Sequence, residues 1–220
     1  MPQHQTRDSW IDQFVLPAPG PGSLLAPFSQ VIAAADLLKL AASNRSGLTR
    51  ANFERAGTAR YQVTVLADFT RDLDEDCAAR LLSADEAQSL PGGDEAERSV
   101  RARAMMRSLT GAIEATSTLV EISQALIGVA EELLVTAGPG RRVELVAAVE
   151  ALRTAAYTAA VSVEMNLFRI TDAVKYDRLA ARLTALDEIL ARADVVTRGV
   201  RARIAVQASG VPTQRSLFSG

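Results

Sequence analysis

Apolar residues along this chain recur every three or four positions, the spacing that gathers them on one face of a helix. Between 94 and 136 a seam runs through Met105, Leu109, Ala112, Leu119, Leu126, Ala130 and Leu133. The segment 141–168 continues the pattern with Leu145, Val149, Leu152, Ala156, Ala159, Val163 and Leu167, and 171–206 with Leu179, Leu183, Leu186, Leu190, Val200 and Ile204. Upstream, 50–88 carries Leu66, Phe69, Leu73, Cys77 and Leu81 on one stripe. The segment 23–42 is apolar apart from Ser29, Gln30, Asp36 and Lys39, which predicts a central, largely buried helix.

Proline and glycine divide these segments. Pro17, Pro19, Pro21 and Pro27 crowd one end, and no further proline occurs before the Pro91-Gly92-Gly93 break. A second break is Gly138-Pro139-Gly140, after which no proline appears until Pro212. Asp94, with Glu95 and Glu97 behind it, suits a helix N-terminus, where carboxylates meet the positive end of the dipole. Ser23 is placed to cap the central helix, and Ser209–Gly220 has the composition of a frayed tail. The expected fold is all-α, an antiparallel bundle of about five long helices. It forms one domain over 1–220, with a short N-terminal segment 1–7 and a flexible tail 207–220. The alternative is a long-helix protein that completes its core on dimerising.

Composition supports that fold and narrows the chemistry. The chain has 39 alanines and 10 aromatic residues, which favours closely packed helices over a sheet. Its 24 basic groups, of which only Lys39 and Lys175 are lysine, nearly balance 26 acidic ones, so no nucleic-acid partner is expected. One histidine, His4, and one cysteine, Cys77, leave no cluster with zinc or iron spacing and no internal histidine for a Ser-His-Asp triad. No metal and no cofactor are expected. No apolar run approaches the roughly 20 residues of a membrane span, and the first residues lack a secretory pattern, so the expected location is cytoplasmic, away from membranes.

Several residues admit both a chemical and a plain structural reading. The run Pro17-Ala18-Pro19-Gly20-Pro21-Gly22-Ser23 leads into an apolar helix, so its glycines can admit a ligand to the first helical N–H groups; the same run also reads as a proline-rich turn with a serine cap. Asp76 lies beside the stripe through Leu73 and Cys77, or belongs with Asp72, Asp74 and Glu75 to a solvated acidic face. Asn166 at an apolar helix end either binds a ligand or satisfies a neighbouring helix end. Asp172 is a site group or the N-cap of the last helix. Arg101, Arg103 and Arg107 repeat along one helix and can grip carboxylates or simply face solvent. Cys77, on the apolar stripe, reads as a core thiol.

Taken in order, these motifs resemble the cyclodeaminase/cyclohydrolase family, the formiminotetrahydrofolate cyclodeaminases and the methenyltetrahydrofolate cyclohydrolases like them. Trp10-Ile11-Asp12-Gln13-Phe14 stands where the family has a short opening helix, followed by the Pro/Gly loop and an alanine-rich helix. Asp76-Cys77-Ala78-Ala79 matches an Asp-x-x-Ala element ahead of Leu90-Pro91. Ala115 to Val120 stands at the family's Ala-x-x-x-x-Pro-Leu, and Asn166-Leu167 with Asp172 matches a late Asn-Leu and Asp. The likeness covers roughly 8–205. The chain departs from it at Pro21, which replaces one glycine of a triple and removes a backbone donor. It departs again at Arg141-Arg142-Val143-Glu144, where the family carries Ser-Asp and Glu144 is the nearest acid.

The resemblance implies an enzyme, metal-independent and of cyclodeaminase (ammonia lyase) or cyclohydrolase type, that makes or breaks a C–N bond in a ring. A formimino- or methenyl-tetrahydrofolate would be its small-molecule substrate, and the chain would form a homodimer. Asp76 and Glu144 are then the expected catalytic residues, and Pro19, Gly20, Gly22, Ser23, Asn166 and Asp172 the substrate-binding ones. The altered loop and Ser-Asp element leave two alternatives: a cyclase or lyase repurposed for a non-folate substrate, and a non-catalytic helical binding partner.

Overall fold

The computed structural model describes residues 22–43 and 49–209, and it is a helical bundle without strands among them. In chain order the helices are α1 (Gly22–Ala41), α2 (Arg50–Gln88), α3 (Glu95–Thr136), α4 (Arg142–Leu167), α5 (Ala173–Leu183) and α6 (Leu186–Ser209), with a 3-10 turn, Pro139–Arg141, leading into α4. Five long helices and one short one match the expected fold class.

Alpha1 is the central helix and packs on α2, α3 and α4. Leu24, Phe28, Val31, Ala35 and Leu38 are buried in it at alternating steps of four and three, a continuous inner stripe. It starts at Gly22, so Ser23 is its second residue, not the cap expected from the sequence. Pro27 sits inside the helix, where its missing N–H costs one bond to the preceding turn. Alpha3 begins as predicted. Asp94 accepts from the Glu97 N–H at 2.7 Å, and Glu97 in turn accepts from the Gly93 N–H at 2.9 Å, which satisfies two end donors reciprocally.

The seams of α3 and α4 hold along most of their length: Ala112, Leu119, Leu126, Ala130 and Leu133 are buried, as are Leu145, Val149, Leu152, Ala156, Ala159 and Val163, whereas Met105, Leu109 and Leu167 at their ends are partly buried. Two other seams differ. On α2 the buried row is Ala56, Ala59, Val63, Ala67, Thr70 and Cys77, whereas Phe69 is half exposed. Small residues let α2 lie close against α3, and the larger side chains flank the contact. The segment 171–206 is two helices. The Thr184 N–H and hydroxyl both bond to the Ala181 carbonyl, closing α5, and the break resets the phase, so α6 buries Ile189, Ala193, Val196 and Val200 in place of Leu190 and Ile204.

Two further expectations shift. Alpha6 runs to Ser209, and Gln207 accepts a 2.7 Å bond from Arg142 Nη1, so the tail expected from 207 is helical there. Two segments, Leu24–Ala41 and Pro139–Leu167, are long and apolar enough by length and composition to cross a membrane, although none was expected. About half of each is buried within the bundle, as core helices require. The segment 1–7 lies outside the described residues.

Candidate functional site

Asp76 sits on α2 with its carboxylate held by Arg80, one turn on, at 2.6 Å. The helix face is the partly exposed one of the solvated reading, yet the pair is not isolated. Arg80 reaches across to α3, where its side chain lies over Gly111 closely enough that any Cβ there would collide with it. The Asp76 bond, aided by the nearby Glu114 charge, holds the guanidinium more firmly protonated than usual. Cys77, next along α2, is fully buried with its sulfur 3.9 Å from the Ala112 carbonyl and the Thr116 hydroxyl. Burial pushes the thiol up to about 11, so it is no nucleophile at neutral pH.

Alpha5 meets the same stretch of α3. Glu114 accepts from Arg178 at 2.9 Å and lies 3.3 Å from Lys175 Nζ. Arg182 donates to the Ser117 hydroxyl at 2.8 Å and pairs with Glu121 at 2.9 Å. Under the N-terminal end of α5 is a cleft of about 220 Å³ lined by Met106, Arg107, Thr110, Ile170, Thr171, Asp172 and Lys175. Asp172 caps α5, accepting from the Lys175 N–H at 3.1 Å, so it is an N-cap that also lines a cleft. Among the described residues, Asp76 is thus linked to α3 only through Arg80 at Gly111, while Asp172 lines a cleft with Arg107 and Thr110 of the same helix.

The remaining expected residues are placed as follows. Asn166 is buried, and its amide donates to the Ser162 carbonyl one turn back at 2.8 Å, a bond inside its own helix. Glu144 is at the start of α4, where Arg141 donates to it at 2.8 Å. The Glu144 backbone N–H and Arg141 hold its carboxyl below the usual range, although Oε2 is buried without a partner among the described residues. Twenty-two residues of α4 separate Glu144 from Asn166, about 33 Å at helical rise. Within one chain they cannot touch one small molecule. Pro19 and Gly20 lie outside the described residues, and Gly22 and Ser23 form the first turn of α1.

The apolar pattern did not single out Arg80, Gly111, Glu114 or Lys175. A glycine in the middle of a 42-residue helix is itself a signal of close approach by another group, and Lys175 is one of two lysines in the chain.

Comparison with known proteins agrees with this architecture. A family model described as formiminotransferase-cyclodeaminase matches residues 16–185. Among solved structures, the formiminotetrahydrofolate cyclodeaminase of Thermotoga maritima, determined at 2.80 Å resolution, superposes with a TM-score of 0.66 at 14% identity, over 93% of this chain and 98% of that one. Among curated proteins, none matches at the sequence level.

Proposed function

Because the chain belongs to the formiminotransferase-cyclodeaminase family, we propose that it is a divergent cyclodeaminase/cyclohydrolase-type enzyme that makes or breaks a C–N bond in a ring, with a formimino- or methenyl-tetrahydrofolate as substrate. The observation that carries this reading is the family match over most of the chain. In the cyclodeaminase direction, the second folate nitrogen attacks the formimino carbon. Its proton passes to a carboxylate, and the departing nitrogen takes up a proton and leaves as ammonia. In the cyclohydrolase direction, water adds to the bridging carbon, loses a proton, and one C–N bond opens. Both need a carboxylate that relays a proton and fixed dipoles around a charged centre.

Asp76 is the relay in this reading, with Arg80 holding its carboxylate in one orientation. Asp172 orients substrate from the α5 side. Glu144 takes part only if a second copy supplies it, which the proposed homodimer would permit. Pro21 favours a second reading, a repurposed cyclase or lyase on a non-folate ring, since a loop lacking that backbone donor binds the folate less well. Thermal denaturation with methenyl-tetrahydrofolate separates the two. A folate enzyme gains about 2.7 kcal/mol of stability at a hundred times the dissociation constant, and a repurposed one gains nothing.

A further inference from the structure

Arg80 stands between two carboxylates. Its Nε donates to Asp76 at 2.6 Å, while Nη1, Cδ and Cζ lie over Gly111 on the neighbouring helix. Glu114 is three residues beyond Gly111 on α3, the spacing that puts both on one helix face. The Glu114 charge accordingly adds to the Asp76 bond in keeping the guanidinium protonated. Glu114 also holds α5, and does so through a single oxygen: Oε1 accepts from Arg178 Nη2 at 2.9 Å and lies 3.3 Å from Lys175 Nζ. Asp76, Arg80, Glu114 and the two α5 cations thus make a row of alternating charge across three helices. Alpha5 is where such a row has most leverage, because it has 11 residues and only Leu179 among them is buried.

We propose that Arg80 couples the charge on Asp76 to the seating of α5: when the Asp76 carboxylate loses its charge, the guanidinium turns to Glu114, competes there with Arg178 and Lys175, and loosens the helix. The charged Asp76 holds Arg80 back by drawing it along α2. Once that attraction is gone, Glu114 is the acid beside it on α3, and its side chain is 30% exposed against 47% for Asp76, so solvent screens the new pairing less. The coupling goes beyond the ring chemistry proposed above and needs neither substrate nor turnover, so either can fail while the other stands. Where Asp76 does relay a proton, it is neutral while it holds it, and α5 is then least firmly seated.

The test is amide hydrogen exchange of the full chain at low salt, in wild type, Asp76→Asn, Arg80→Gln and the double variant. Asp76→Asn is expected to exchange about two- to fivefold faster over 173–183, the size that partly exposed ion pairs allow, with α4 unchanged. Arg80→Gln alone is expected to exchange no faster than wild type, and the double variant to match Arg80→Gln, since the competitor for Glu114 is then absent. The proposal is overturned if Asp76→Asn leaves 173–183 unchanged, or if α4 accelerates equally, which marks general destabilisation. It is also overturned if Arg80→Gln alone speeds exchange there, or if the double variant exchanges as fast as Asp76→Asn.

Discussion

The guanidinium of Arg80 crosses from α2 to lie over Gly111 of α3, and it does so because that position has no side chain: a Cβ at Gly111 would stand 2.8 Å from Arg80 Cδ and Cζ. A glycine inside a helix costs about 1 kcal/mol relative to alanine, so Gly57→Ala, where a Cβ meets nothing within 4 Å, should raise stability by about 0.5–1 kcal/mol. Gly111→Ala should lose that gain, melting at least as low as wild type, because Arg80 must leave Asp76 to make room. Paired denaturant melts of the two variants measure the contrast.

Alpha5 is held differently from the other helices. Its one buried residue, Leu179, joins Ile113, Val163 and Ile170 in a small cluster, Leu183 packs partly buried against that cluster and the main core, and the ion pairs of Lys175, Arg178 and Arg182 hold its polar side. Exposed pairs weaken as salt shortens the screening length to about 3 Å at 1 M. Hydrogen exchange across 173–183 should therefore accelerate in high salt, and in Glu114→Gln at low salt, while α3 and α4 exchange stays slow.

Alanine sets the spacing in the core. Ala155, Ala156, Ala159 and Ala160 of α4 are fully buried, and α1 and α3 pack against that helix. Ala156→Leu adds methylenes where no space is left and should cost about 1–3 kcal/mol. The same exchange at the exposed Ala51 should stay within about 0.5 kcal/mol.

Glu144 gives the pH dependence a sign. Its carboxyl lies below the reference value of 4.5 because the N-terminal N–H and Arg141 favour the charged form. The native state therefore binds fewer protons than the unfolded one in this range, and the group's stabilisation is complete above 4.5 and vanishes as pH falls through the lower native value. Glu144→Gln should be less stable than wild type by about 0.5–1 kcal/mol at neutral pH, and the two should converge in acid melts.

The helices were legible in the sequence because burial imposes a period, as at Leu119, Leu126 and Leu133. The Leu186 to Leu190 phase was misjudged because a two-residue break at Thr184 and Ala185 shifts the face without leaving a glycine or proline to mark it. The site was legible only in part. Asp76 and Asp172 stand out through the family pattern, but the link from Asp76 to α3 runs through Arg80 over Gly111, a glycine whose meaning depends on a side chain 31 residues away. Glu144 and Asn166 share a helix, and only its length shows that they lie at opposite ends.

We propose ring C–N chemistry with Asp76 as the proton relay. Ammonia release from formimino-tetrahydrofolate by wild type and Asp76→Asn, with melting curves recorded alongside, tests it most directly. Turnover by wild type that falls about a hundredfold or more in the variant, with the melt displaced only slightly, is the predicted result; no turnover by wild type, or equal turnover by both, would contradict it.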